Sequence, residues 1–225
     1  MQEKLKSEGK CLFCGKTFAK AGINKHLSAH LKEISRSGKE GKSFLVKVET
    51  DKRWGSTPYF LSLWIDSETT MKTIDKFLRD IWLECCGHLS RFEGVGKTKK
   101  AGDVFEKGMR LDYEYDFGSS TLLSLTVMDE YPIKADKKIV LLSRNEPLQI
   151  MCSICGKAPA TQICSVCMYG DDESVFCDKC AEKHAKKCED FAYASMPIVN
   201  SPRMGVCAYE GGTIDTERDV FVAKK

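Results

Sequence analysis

The sequence predicts an α+β fold in which a helix covers one face of a mainly antiparallel sheet. Three patterns in the middle of the 225-residue chain lead to this prediction: a strand at YFLSLWID, a helix directly after it, and a hairpin at LDYEYDFGSSTLLSLTVM. Strand, helix and hairpin in this order are typical of α+β domains. The apolar share of 42% is enough for one such core, and the length allows one ordinary domain with small appendages.

Each element follows from its periodicity. The first strand alternates, with four residues expected on one side: Tyr59, Leu61, Leu63 and Ile65. From Thr70 to Cys86 the apolar residues recur at three- and four-residue steps, which predicts one continuous helix ending near Gly87. The hairpin alternates on both sides of a Gly-Ser-Ser turn, and residues 138–143 predict a further strand.

The N-terminal region contains the spacing C-x2-C-x11-H-x3-H, formed by Cys11, Cys14, His26 and His30. A tetrahedral zinc ion is bound in this way by two thiolates of a hairpin and two imidazoles one helical turn apart. The loop between the second Cys and the first His is one residue shorter than usual. The helix positions that would face bases are near Ala19, Ala21, Gly22 and Lys25, whereas direct readout uses Arg, Asn, Gln or Glu side chains.

Four further pairs of metal-binding residues follow in the C-terminal part: Cys152/Cys155, Cys164/Cys167, Cys177/Cys180 and His184/Cys188. Eight ligands fit two zinc ions, so we expect about three zinc ions per chain. The arrangement resembles RING, B-box and MYND modules, which implies interleaved pairing, with the first and third pairs on one ion; sequential pairing is the alternative. Seven thiolates, one neutral imidazole and two zinc ions have a total formal charge of −3, and nearby lysines would screen this charge.

These motifs divide the chain into five predicted segments. They are a basic arm and finger at 1–31, a flexible linker at 32–43, an α+β middle domain at 44–147, a two-zinc module at 148–190, and a tail at 191–225 packing on the body. The linker KEISRSGKEGKS lacks apolar periodicity, so the finger is expected to be tethered rather than packed on the middle domain.

Charge is unevenly distributed. Residues 1–42 contain ten lysines and arginines against four glutamates, a local net charge of +6, and the other 183 residues sum to −3. A basic segment of this kind attracts nucleic acid through phosphate contacts, and a solvated lysine-rich arm is the equally weighted alternative. No stretch approaches the roughly 20 apolar residues of a membrane span, the first residues lack a signal peptide, and the cysteines have metal-ligand spacing. We therefore expect a soluble cytoplasmic protein with reduced thiols.

The middle region and tail also carry a resemblance, in FLRDIWLECCGHLSRFEG, RLDYEYDFGSSTLLSL, VLLSRNEP and PIVNSPRMGVCAYEG. These stretches are similar to the Ri-plasmid ORF-three-like family, some members of which are labelled transposon-passenger proteins. The resemblance spans most of residues 55–210 and leaves out the finger. It implies an α+β fold and an association with mobile elements, and it brings no established activity.

Two other clusters were considered as sites. Asp112, Glu114 and Asp116 alternate with aromatic residues, so their carboxylates are expected on one strand face. Such a face could form part of the metal site of an enzyme that acts on nucleic acid, which is the alternative function. Cys85, Cys86 and His88 offer a nucleophile and a base without an orienting partner, and the sequence favours neither catalysis there nor a zinc site that includes Cys207. The leading hypothesis is a non-enzymatic zinc-binding interaction protein, with protein contact through the C-terminal module.

Overall fold

The structure, a computed structural model, describes residue 5 and residues 7–50, 58–170 and 173–221. These residues form two compact units. The sheet unit contains the described residues from Ser7 to Arg79 together with His88–Glu146, and the C-terminal unit contains Leu5, Asp80–Gly87 and the described residues from Pro147 onward. Among the described residues, no helix has the length and apolar composition needed to cross a bilayer.

The sheet unit contains eight strands and three helices. In chain order they are β1 (Glu8–Lys10), β2 (Thr17–Ala19), α1 (Ile23–Ile34), β3 (Glu40–Thr50), β4 (Phe60–Asp66), α2 (Met71–Leu78), β5 (Ser90–Phe92), α3 (Ala101–Val104), β6 (Arg110–Tyr115), β7 (Thr121–Ile133) and β8 (Ile139–Arg144). The last six strands form one sheet in the order β5-β6-β7-β3-β4-β8, in which every neighbouring pair is antiparallel. The predicted α+β class is confirmed.

The helix α2 lies against β5 and β6 through a buried carboxylate. Tyr113 Oη and Ser90 Oγ both donate to Asp75 Oδ1 of α2, at 2.9 and 2.6 Å, and Lys97 Nζ lies 2.9 Å from the same atom. Thr70 caps the helix by accepting from the Thr73 amide. The helix predicted up to Cys86 is α-helical only to Leu78, where α2 ends, and a π-helical turn follows at Arg79–Leu83; residues 84–86 are not helical.

The finger helix α1 is part of the core of the sheet unit. Its apolar residues Ile23, Leu27 and Leu31 are fully buried and pack on Phe60 and Trp64 of β4. They occur every four residues, so they form one stripe along the helix. The opposite face of the sheet is covered separately, where Phe44 of β3 contacts Phe105 edge to face. All seven residues of β4 are consequently buried.

Polar contacts fix the position of the finger. Ser62 Oγ of β4 donates to Asn24 Oδ1 of α1 at 2.8 Å, and the Leu12 amide donates to the Leu142 carbonyl at 3.0 Å. Gly9 approaches β4 so closely that an added Cβ would lie 2.6 Å from the Phe60 ring. The prediction of a tethered finger is therefore wrong. The residues expected to form a flexible linker contain the end of α1, a five-residue connection, and the start of β3.

The C-terminal unit is built around a small three-stranded sheet. Its elements are β9 (Gln162–Cys164), β10 (Val175–Phe176), α4 (Asp178–His184), α5 (Phe191–Ala194) and β11 (Ser195–Pro197), with β9 in the middle of the sheet. The tail is anchored to the segment Asp80–Gly87: Ser201 Oγ donates to the Trp82 carbonyl and the Thr213 amide donates to the Asp80 carbonyl, both at 2.7 Å.

We predict that Leu27→Ala in the finger helix destabilises the six-stranded sheet. Removing this fully buried side chain leaves a cavity next to β4, which costs about 2 to 5 kcal/mol of unfolding free energy. Hydrogen exchange of the β4 and β8 amides in urea measures the loss. The exposed Lys32→Ala on the same helix is the control and should change it by less than about 0.5 kcal/mol. Unchanged protection of β4 in Leu27→Ala would contradict the docking of the finger.

Candidate metal centres

The finger brings its four predicted ligands together. Cys11 and Cys14 lie in the turn between β1 and β2, and His26 and His30 lie one turn apart on α1. Their ligand atoms are all within 4.8 Å of one another. His26 Nε2 is 3.2 Å from Cys14 Sγ and 3.2 Å from His30 Nε2. Phe18 stacks on the His26 ring with a centroid distance of 4.0 Å, which holds the imidazole in place.

These spacings fit a tetrahedral zinc ion. With zinc about 2.3 Å from sulfur and about 2.0 Å from nitrogen, tetrahedral angles separate two nitrogens by about 3.3 Å, nitrogen and sulfur by about 3.5 Å, and two sulfurs by about 3.8 Å. Burial, His30 and Lys16 lower the pKa of His26. A lowered pKa keeps the imidazole neutral, which is the form that binds a metal.

The C-terminal unit contains two groups of four ligands. One consists of Cys152, Cys155, Cys177 and Cys180, and the other of Cys164, Cys167, His184 and Cys188. The first and third CxxC pairs therefore share one group, which is the interleaved pairing rather than the sequential one. The strands cause this pairing, because β9 and β10 are antiparallel neighbours and carry the second and third pairs to opposite ends of the small sheet.

Distances within both groups fit tetrahedral zinc. Cys155 Sγ is 3.9 Å from Cys177 Sγ in the first group. In the second group, Cys167 Sγ is 4.0 Å from Cys188 Sγ and 3.5 Å from His184 Nε2. Phe176 stacks on the His184 ring with a centroid distance of 4.2 Å. The stacking orients this imidazole as Phe18 orients its counterpart in the finger.

Backbone amides and neighbouring thiols act on these cysteines in opposite directions. The amides of Lys157 and Ala158 lower the pKa of the Cys155 thiol to about 6, which favours the metal-binding thiolate. Burial and the thiols of Cys164 and Cys188 raise the pKa of Cys167 to about 12. The thiols around Cys167 oppose its ionisation, and a divalent cation among them would reverse that effect.

The carboxylates considered as an enzymatic site do not share one partner. Asp112 lies beside Arg110, while Glu114 is 2.8 Å from Arg91 and accepts from Ser120 Oγ. Asp116 lies beyond the end of β6, in a left-handed conformation with φ +63°, and accepts from the Gly118 amide. Within the described residues, none of the three belongs to a group of three or more possible metal ligands.

One cluster of thiols that the sequence analysis did not favour as a site is brought together by the structure. In the C-terminal unit, Cys86 Sγ is 3.8 Å from Cys85 Sγ and 3.5 Å from Cys207 Sγ. The adjacent cysteines in the sequence were a signal that these thiols could act together. Their third member is 121 residues away in the chain, and no local spacing identifies it.

Comparisons with known proteins identify no family. No family model and no curated protein matches the chain. Among solved structures, the crystal structure of a protein of unknown function from Methanosarcina mazei Go1 is similar at a TM-score of 0.38 and 17% identity, covering 47% of this chain and 68% of that one.

We predict that paired cysteine substitutions reveal how the ligands of the C-terminal unit are shared. Cys152→Ser with Cys177→Ser removes two ligands of one group, so it should cost one metal ion per chain. Cys152→Ser with Cys164→Ser affects both groups and should cost two. Native mass spectrometry counts the ions. The reverse result, two ions lost in the first variant and one in the second, would establish sequential pairing.

Proposed function

We propose that the chain is a non-enzymatic zinc-binding interaction protein, with structural zinc in the finger and at two sites in the C-terminal unit. The observation that carries the proposal is the set of ligand-atom distances, 3.2 to 4.0 Å, in the three groups. They agree with the edges of a zinc tetrahedron, and thiolate with imidazole is the donor set that zinc prefers. Each group has four protein ligands, which leaves no coordination place for a reacting water.

Structural zinc would substitute for a large apolar core in the C-terminal unit. Four of the eight residues in one of its buried clusters are the cysteines Cys152, Cys164, Cys177 and Cys180. Such a core is too small to be stable without cross-links, so folding would depend on the metal. This role accounts for the seven thiolates and one imidazole without invoking catalysis.

Protein contact is proposed for the same unit because its zinc knuckles expose apolar side chains. Ile154 and Val166 each precede the second cysteine of a knuckle and are 50% and 46% exposed. Tyr169 and Tyr193 are 71% and 75% exposed. Exposed aromatic and aliphatic side chains are typical of protein interfaces. The basic residues Lys179, Lys183, Lys186 and Lys187 favour a protein partner with acidic residues around an apolar contact.

We expect Ile154→Ser with Val166→Ser to reduce recovery of the partner by at least about tenfold, because a tenfold change corresponds to only about 1.4 kcal/mol of lost apolar contact. The test compares proteins that copurify with the native chain, after nuclease treatment, by quantitative mass spectrometry. Val220→Ser, another exposed apolar position of this unit, is the control.

The native chain, the double variant Ile154→Ser with Val166→Ser, and the control Val220→Ser must contain equal amounts of zinc. Equal recovery of every copurifying protein in the double variant would contradict the knuckle interface. Loss of recovery caused by nuclease alone would move the interaction to nucleic acid.

Nucleic-acid contact is a second candidate, supported by a groove in the sheet unit. The groove encloses about 500 Å³ between α1 and the strands β3 and β7, and four lysines line it: Lys20, Lys25, Lys32 and Lys47. Lys20 and Lys47 are paired with Glu49. Lys25 and Lys32 are exposed on α1, where they could contact phosphates. The small residues around Ala21 favour binding without base recognition.

We expect Lys25→Glu with Lys32→Glu to weaken duplex binding and reduce the slope of log affinity against log salt by about 0.9 for each lost phosphate contact. Fluorescence anisotropy at several salt concentrations measures both quantities. Lys99→Glu with Lys137→Glu changes the same charge at exposed positions of the same unit and is the control. Equal effects of the two variants would show that only net charge matters and would exclude the groove as the site.

A further inference from the structure

The C-terminal unit brings together three thiols that the proposed function does not use. Cys85 and Cys86 follow the π-helical turn, and Cys207 lies in the tail. The Sγ atom of Cys86 is 3.8 Å from that of Cys85 and 3.5 Å from that of Cys207. Two sulfurs on one zinc ion are about 3.8 Å apart, whereas a disulfide requires about 2.0 Å. The spacing is that of metal ligands, and it matches the 3.9 and 4.0 Å separations in the two groups of this unit.

The backbone holds the third thiol in this place at a conformational cost. Cys207 and Ala208 are consecutive residues with φ +50° and +52°, which side-chain-bearing residues rarely adopt. Hydrogen bonds from Ser201 to Trp82 and from Thr213 to Asp80 anchor the tail on both sides of them. A strained conformation that is fixed from both sides is typical of a functional position.

A buried cation lies next to the cluster. Arg203 is fully buried, and its Nη2 is 3.6 Å from Cys85 Sγ. Three thiolates with one Zn²⁺ carry a charge of −1, which the guanidinium balances. The two other groups of this unit have lysines nearby in the sequence for the same purpose.

We propose that Cys85, Cys86 and Cys207 bind a further zinc ion. This ion is separate from the three of the proposed function. It would join the tail to the segment Asp80–Gly87 through coordinate bonds, because Cys85 and Cys86 belong to this segment and Cys207 belongs to the tail. Two of the three thiols are exposed, so this site is open to exchange with metal ions and chelators in solution.

The experiment counts zinc ions in the full-length chain by native mass spectrometry after reconstitution with Zn²⁺ alone. The wild-type chain should carry one ion more than Cys207→Ser, and Cys85→Ser with Cys207→Ser should lose no further ion. Ala208→Ser, at the adjacent exposed position with the same backbone conformation, is the control and should retain every ion.

A second measurement needs no variant. Zn²⁺ should protect Cys85, Cys86 and Cys207 of the wild-type chain from iodoacetamide by at least about tenfold in rate, mapped by peptide mass spectrometry. Equal ion counts in wild type and Cys207→Ser, together with unprotected thiols, would overturn the proposal. A disulfide between Cys86 and Cys207 in the freshly purified, zinc-saturated chain would overturn it as well.

The outcome is independent of the proposed function. If the thiol cluster binds no zinc, the chain still carries the three ions of the proposed function. Substitutions in the finger and in the two other groups of the C-terminal unit would still remove them. Conversely, a chain that loses an ion in Cys207→Ser but none in Cys14→Ser, Cys152→Ser or Cys164→Ser would refute the proposed function and support this site.

Discussion

Burial of both faces of β4 is the constraint on which the sheet unit depends. One helix can cover only one face of a strand, so the second face of β4 must be buried by another element. That element is the finger helix α1, which packs on Phe60 and Trp64. That helix carries His26 and His30, so its orientation is tied to the ligands in the turn between β1 and β2. The finger is thus a layer of the domain, and a metal ion held by its four ligands would link the turn between β1 and β2 to a helix that packs on the sheet.

The fold class and the composition of the ligand groups could be predicted because their signals are local. Alternation identifies β4 and the hairpin, and fixed steps of three and four residues identify CxxC pairs and helical histidines. The structure brings together the same four residues in the finger. Interleaving of the C-terminal pairs was expected from a resemblance to known modules, and its physical cause, the antiparallel pairing of β9 and β10, is not visible in the spacing.

The errors concern contacts between distant parts of the chain. Tyr59, Leu61, Leu63 and Ile65 were expected on one side of a strand, but Phe60 and Trp64 between them are apolar too and indicate a second buried face. Leu27 and Leu31 extend the apolar stripe of α1 beyond what a free finger needs. The end of α2 was missed because its apolar periodicity continues into the π-helical turn, where Ile81 and Trp82 are buried.

The segment Asp80–Gly87 has a consequence for synthesis on the ribosome. It leaves the exit tunnel in the middle of translation, yet the unit to which it belongs is completed only when residues beyond Pro147 have emerged. The Asp80 and Trp82 carbonyls accept hydrogen bonds from Thr213 and Ser201, which are translated 133 and 119 residues later. A gene truncated before residue 147 would remove these hydrogen-bond partners permanently.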